Sequence, residues 1–380
     1  IYLVNKSKIM VMIKSDYDNN SDYHEFHGTT TTINHANELF NFGISRSLFL
    51  DETLRIETFN TIKSKQPILV LFNHITTPTK KNKYQLFVYG HTSCGTKTTV
   101  IIDNIRPIVD VKITFKNTGD VNIISRLRKV AELGESEIVD YEFLSGRDFL
   151  FFHHKESQYV RLYFNTILHR DSFIKEAESK KLQLRTNDYG HYHRVLARLR
   201  DMQLSGWNEL RDYTCTIQKE SPQQRMSRAF RSELVITVDL KNVFPIYEED
   251  DRMKQSLLKF ENSILHGFDI EMLPMRTGHF PDATKHIKDD IFMICSTYHF
   301  AKKSGSLLNI IFTIKESNPV DGFWTIHCKS ESTLLHAYSI MNSLMQPEYM
   351  IAHNGDGFDW KQMITKTKYF QKVYETVLRA

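Results

Sequence analysis

Cysteine is scarce in this sequence of 380 residues: Cys94, Cys215, Cys295 and Cys328 are scattered and form no C-x-x-C pair. That scatter argues against a zinc ribbon and fits reduced thiols in a cytosolic or nuclear compartment. Long apolar runs are missing too. Candidates such as ILVLF at 68–72 are strand-sized, whereas a membrane-spanning helix needs ~20 apolar residues. No stretch combines a basic start, an apolar middle and a small-residue cleavage site, so neither secretion nor a membrane location is expected. A strong excess of one charge is also lacking. Lys and Arg number 49 against 45 Asp and Glu, a net +4, which permits a polyanionic partner without requiring one.

What remains is the profile of an ordinary globular protein, 41% apolar and 25% charged, with length for roughly two to three domains. It begins with Ile1 and stops at Ala380 inside a helix-like pattern, which suggests part of a longer protein. Residues 1–83 read as a leader of unknown role, polar and turn-rich, ending in one strand and a Pro- and Lys-containing linker at 66–83. His24 and His27 have no partner cluster and read as exposed loop histidines; the pairs His153–His154 and His191/His193 have no ligand spacing.

From Tyr84 the texture changes to β-branched and aromatic strands at 84–90, 96–103 and 109–115, which suggests a small antiparallel barrel or sheet. A strand at 159–165, a helix at 172–181 and a helix at 191–207, stopped by Gly206, follow. Arg194, Arg198 and Arg200 on the last helix read as a solvated face rather than a phosphate-binding one. Beyond Leu265 come strands at 265–272, 291–300, 307–315 and 324–330, then a helix at 331–345. That helix offers Leu334, Leu335, Tyr338, Ile340 and Met341 for burial and opens with Glu331, read as a surface acid. A short buried-type strand at 349–354 and a helix at 358–378 complete a ribonuclease H-like order of elements.

Within the first of those strands stands HGFDIEMLP, residues 266–274. Side chains alternate along a strand, so Asp269 and Glu271 share one face about 6–7 Å apart. Such a pair repels itself unless something cationic lies between. A third acid is available in HNGDGFDW (353–360), where Asp359 follows a Gly-rich turn and opens a helix about ninety residues downstream. Three converging carboxylates are suited to Mg²⁺ or Mn²⁺, which take hard oxygen ligands. Two such ions ~3.5–4 Å apart can activate a water and stabilise a leaving oxygen at phosphorus. A lone Asp-x-Glu is more often a surface pair; the combination in the right elements favours a site. Asp356, between two glycines, reads as a turn residue.

The segment FDIEM…FPDATKHIKDDIFMICSTYHF resembles the first exonuclease motif of family B DNA polymerases, and MIAHNGDGFDWKQMI is similar to their second, Asn-x-x-x-Phe-Asp. Upstream, LFVYGHTSCGTKTTVIIDNIRPIVDVKI and LRTNDYGHYHRVLARLRDMQLSGWNEL resemble the N-terminal domain of that family, so the likeness spans about 84–380. The texture as a whole resembles polymerases of large cytoplasmic DNA viruses, asfarvirus-like. The resemblance implies a mixed α/β fold: a β-rich α+β N-terminal domain at 84–260, then an incomplete ribonuclease H-like 3′–5′ exonuclease domain at 261–380. It also implies Asp269, Glu271 and Asp359 as metal ligands for two Mg²⁺ or Mn²⁺, with Asn354 and Phe358 holding the frayed 3′ end. The implied partners are DNA, as primer-template and single-stranded 3′ end, dNTPs in a polymerase domain outside this sequence, and a processivity factor. The implied location is the nucleus or a cytoplasmic viral replication site.

Departures from the family pattern exist. Met272 replaces a usual small polar residue, nothing after Asp359 matches the third motif Tyr-x-x-x-Asp, and the polymerase signatures are absent. The leading expectation is therefore the N-terminal part of a replicative DNA polymerase with proofreading activity. A stand-alone 3′–5′ exonuclease and a nucleic-acid-binding module with a decayed site are the alternatives.

Overall fold

The computed structural model describes residues 28–76, 84–113, 120–148, 155–185, 192–202, 204–219, 224, 231–247, 262–301 and 304–379. His24, His27, His153, His154 and His191 lie outside the described residues. In chain order, β1 (Thr29–Ile33) is followed by α1 (Glu52–Lys63), β2 (Ile68–Thr76), β3 (Tyr84–Thr92), β4 (Lys97–Ile105) and β5 (Ile108–Lys112). Next come α2 (Asp120–Leu133), β6 (Ile138–Gly146), β7 (Ser157–Phe164), α3 (Ile167–Ser179) and α4 (Tyr192–Arg200). Four strands follow: β8 (Gly206–Leu210), β9 (Thr214–Ile217), β10 (Leu234–Asp239) and β11 (Val243–Pro245). The C-terminal part holds β12 (Ile264–Leu273), β13 (Asp290–Phe300), β14 (Leu308–Thr313) and β15 (Trp324–Cys328). There α5 (Glu331–Met345), β16 (Tyr349–Ile351) and α6 (Asp359–Arg379) complete the chain.

The fold is mixed α/β, with three sheets among the described residues. One runs β11-β8-β2-β3-β4-β10-β9 and a second runs β5-β7-β6. The order β5-α2-β6-β7-α3, closed by a bridge from Val111 to Leu184, is a split βαβ arrangement with both helices on one face. The small antiparallel sheet expected over 84–115 is thus divided. β3 and β4 join the seven-stranded sheet, where β10 pairs parallel to β4, and β5 leaves for the other. The expected helix at 191–207 ends at Arg200 because Asp201 turns left-handed (φ 52°), and Gly206 begins a strand instead of capping a helix. Arg194, Arg198 and Arg200 are exposed on α4 while Val195, Leu196 and Ala197 are buried, as a solvated face requires.

The third sheet runs β1-β15-β14-β13-β12-β16. β12, β13 and β14 are mutually antiparallel, and β16 joins β12 in parallel. α5 covers this sheet with Leu334, Ile340 and Met341 fully buried, because its apolar residues recur at helical spacing and Ser330 caps its start. The described part of the expected leader is built into the sheets. β1 lies parallel to β15, Ile33, Ala36, Leu39 and Ile44 enter the same core, and β2 belongs to the seven-stranded sheet. β16 is exposed rather than buried, because it stands at a sheet edge. Beside it, a groove of about 1210 Å³ runs between α5 and α6.

A buried ion cluster joins the sheets. Glu348, just before β16, accepts from Arg46 (2.9 Å), Lys97 (2.7 Å) and the Ile264 amide (2.6 Å). Arg46 also donates to the carbonyls of Gly95, Asn262 and Gln346. Burial opposes the Glu348 charge, but Arg46 and Lys97 outweigh it and hold the carboxyl down to about 2. In the core of the third sheet, His266 stacks on Tyr298 (4.3 Å) with neither ring nitrogen hydrogen-bonded among the described residues. Burial pushes its imidazole down to about 3 from the ordinary 6.5.

Both shifts have one sign. The unfolded chain takes up these protons at higher pH than the folded one. The His266 contribution is complete above 6.5 and is lost as pH falls toward 3; that of Glu348 is complete above 4.5 and is lost toward 2. Urea unfolding followed from pH 7 to pH 4 should therefore show falling stability, with His266 contributing up to about 1.4 kcal/mol per pH unit. The variant His266→Phe should flatten the decline below pH 6.5 and should not destabilise at pH 7, since it removes two unpaired buried nitrogens. An unchanged pH slope would show that His266 is not the group responsible.

Candidate active site

β12 alternates buried and exposed residues, with His266, Phe268, Ile270 and Met272 inward and Asp269 and Glu271 outward. This period of two follows from the pleat. The two acids therefore share the solvent face. Cys295, paired with Asp269 in register on β13, feels both charges, which add to burial in pushing its thiol up. The strand register shifts between Glu271 and Met272, a bulge at the position where the sequence departs from the family pattern. Met272 itself is buried in the core.

Asp359 arrives from the opposite direction. Asn354 adopts a left-handed conformation (φ 55°), and its carbonyl accepts from the amides of Gly357 (3.0 Å) and Phe358 (2.9 Å), closing a turn that launches α6. A Cβ at Gly357 would meet the exposed Asn354 side chain, which would have to move aside. Trp360 then packs on Phe268 (4.9 Å), fixing the first turn of α6 against β12. Asp359, only 1% exposed, accepts from the Ile270 amide at 3.3 Å, at the residue between the two strand acids.

Burial raises the Asp359 carboxyl above its usual range; the Ile270 and Asp359 amides draw it down, and Asp269 raises it again by charge and by a side-chain hydrogen bond. Asp359 thus lies close enough to Asp269 to feel its charge, with Glu271 on the same strand face as Asp269. As they stand, no group of three or more His, Cys, Asp and Glu side chains forms a metal-holding cluster among the described residues. The donor set is nevertheless a fit for Mg²⁺ or Mn²⁺. It is all carboxylate oxygen, one member is buried against a second acid, and Mg²⁺ commonly uses one or two carboxylates and completes its shell with water and phosphate oxygens.

Of the residues expected to grip a 3′ end, Asn354 is exposed on the turn and Phe358 is half-buried. Phe358 lies 5.4 Å from Phe280, which is 77% exposed on the loop between β12 and β13. Aromatic side chains with an accessible face are surfaces on which an unpaired base can stack. Sequence reading did not single out Phe280. The signal available was a phenylalanine in a polar, charged loop with no apolar periodicity to bury it.

Glu331 corrects an expectation. It is 7% exposed, not a surface acid, and binds the Ile291 amide (2.8 Å) and Lys366 (2.7 Å). Lys366, 1% exposed on α6, also donates to the Ile287 carbonyl (2.9 Å) and the Asp290 carboxylate (3.2 Å). Replacing Lys366 by Met leaves Glu331 buried without its cation, so Lys366→Met should cost about 3–5 kcal/mol in urea unfolding at pH 7. Glu331→Gln, which keeps an acceptor for the Ile291 amide, should cost less. Equal stability of Lys366→Met and wild type would contradict this placement.

Comparison with known proteins shows what the chain is similar to. The family model for DNA polymerase family B, exonuclease domain, matches residues 189–377. Similar curated proteins include DNA polymerase beta of African swine fever virus. The isolate Pig/Kenya/KEN-50/1950 protein is 24% identical over 314 residues, covering 81% of this chain and 24% of the relative. The protein of the strain Badajoz 1971 Vero-adapted shows the same identity and coverage. The chain therefore spans about a quarter of the length of these relatives. Among solved structures, the family B DNA polymerase of the archaeon Pyrobaculum calidifontis aligns with TM-score 0.49 and 12% identity, over 80% of this chain and 33% of that one.

Proposed function

From the premise that this chain carries the exonuclease domain of a family B DNA polymerase, we propose that it is the part of a replicative polymerase that removes mispaired nucleotides from DNA 3′ ends. The observation that carries this reading is the contact of Asp359, at the head of α6, with β12 between Asp269 and Glu271. Asp269, Glu271 and Asp359 would hold Mg²⁺ or Mn²⁺, two per site. When bound, the ions supply an activated water and neutralise charge at phosphorus.

The chain's own residues prepare the substrate. Phe280 and Phe358 offer aromatic faces to an unstacked terminal base, a contact indifferent to base identity. Indifference of that kind suits an activity that must remove any mispaired nucleotide. Asn354 presents its amide at the exposed turn leading into α6, within the segment that would face the terminal nucleotide. Phe268, buried, and Trp360, half-buried, pack together behind Asp359 and limit water on its inner side. Primer-template DNA and dNTPs are the substrates of the polymerase as a whole, a processivity factor is a further partner, and the place of action is a nuclear or cytoplasmic viral replication site.

The test is a primer with a mismatched 3′ nucleotide, presented to the polymerase that contains this chain. Asp269→Ala should slow mismatch removal by several orders of magnitude, because a lost ligand misplaces charge stabilisation at the transition state. Extension of a matched primer should change little. Glu316→Ala, at an exposed turn position after β14, should excise like wild type. Mismatch removal by Asp269→Ala at the wild-type rate would dismiss the acidic pair as a surface feature.

A further inference from the structure

Gln362 carries no charge and meets no reacting atom in the scheme above, yet it is 2% exposed and spends both ends of its amide on one loop. Its Oε1 accepts from the Ala283 amide at 2.8 Å, and its Nε2 donates to the Asp282 carboxylate at 3.3 Å. The loop is closed on itself by Asp289, whose two oxygens accept from the amides of Met275 (2.9 Å) and Asp282 (2.8 Å). Asp282 also accepts from the amide (3.0 Å) and hydroxyl (2.6 Å) of Thr284. These bonds make residues 275–289 a stiff unit, and Gln362 is where its middle is fastened to α6.

Gln362 lies three residues after Asp359, on the same side of the helix, about 4.5 Å along its axis. The loop it fastens carries Phe280, 77% exposed and 5.4 Å from Phe358. Helix α6 therefore bears a site acid and the anchor of one aromatic, and the other aromatic, Phe358, stands in the turn immediately before it. A buried amide is costly unless bonded, and an apolar side chain of similar size would fill the same space. The hydrogen bonds thus specify where the loop sits, which simple packing would not do.

We propose that Gln362 is a positioning residue of this site: it holds the Phe280 loop in register with Asp359, so that the terminal base and the scissile phosphate are placed by one rigid helix. The proposal rests on the reading of the site as a 3′-end nuclease and adds a residue outside the acidic and aromatic set. Its substrate class is a single-stranded DNA 3′ end whose last base is unstacked from its neighbour.

Two measurements on the 380-residue chain test it. In hydrogen exchange, Gln362→Leu should speed exchange across 275–289 by about tenfold or more while α6 keeps its protection. In binding, a single-stranded oligonucleotide with 2-aminopurine as its 3′ base, in Ca²⁺, should bind Gln362→Leu about tenfold more weakly and show less fluorescence quenching. Phe280→Ala, at an exposed position, should match that loss, and the double variant should be no weaker than either single one. Gln362→Met serves both measurements if the Leu variant does not fold. Unchanged loop exchange would overturn the proposal, and so would a loosened loop with wild-type affinity and quenching. A wild-type chain that does not bind the oligonucleotide would instead refute the nuclease reading, leaving exchange to decide whether Gln362 registers the loop.

Discussion

One hydrogen bond organises the candidate site: the Ile270 amide, at 3.3 Å from the Asp359 carboxylate, joins the head of α6 to the middle of β12. It is made at the residue between Asp269 and Glu271, so joining helix to strand brings a third acid to the other two. A carboxylate buried this deeply beside another acid is unfavourable without a compensating partner. The edge-on packing of Trp360 and Phe268 and the left-handed turn at Asn354 keep Asp359 in place regardless. An acid held by packing beside a second acid is an arrangement that a bound cation would relieve.

The same helix organises the surroundings. Gln362 and Lys366 face the loop between β12 and β13, and Lys366 reaches through to Glu331 at the head of α5. At the other end of the third sheet, Glu348 ties β16 and β12 to Arg46 and Lys97 from two other parts of the chain. Both clusters use charge inside low-dielectric surroundings, where pairing must be complete. They set the relative placement of strand, helix and loop more narrowly than apolar packing alone.

Much of this was legible in the sequence where periodicity spoke. The alternation in 264–273 announced the shared face of Asp269 and Glu271, and the helical spacing of Leu334, Tyr338 and Met341 announced α5. Asp359 was legible as a helix opener after a Gly-rich turn. Other features were not. Glu331 read as a surface acid because its partner, Lys366, lies 35 positions away and no local pattern links them. β1 read as leader because a Thr-rich strand has no apolar face; its pairing with β15 is a long-range event. β16 read as buried from its composition, but exposure depends on what stands next in the sheet. The roles of Gln362 and Phe280 depend on a loop whose conformation is set by Asp289 and Asp282, not by propensity.

The most direct test of the account is whether the acids bind a divalent cation, read without reference to activity. Titration of Mn²⁺ into the chain, followed by electron paramagnetic resonance, should show bound ion in the wild type. It should show little in Asp359→Asn, which removes a carboxylate charge while retaining an oxygen for the Ile270 amide. Far-ultraviolet circular dichroism should be the same for both. Undiminished Mn²⁺ binding by a folded Asp359→Asn chain would contradict the assignment of this site.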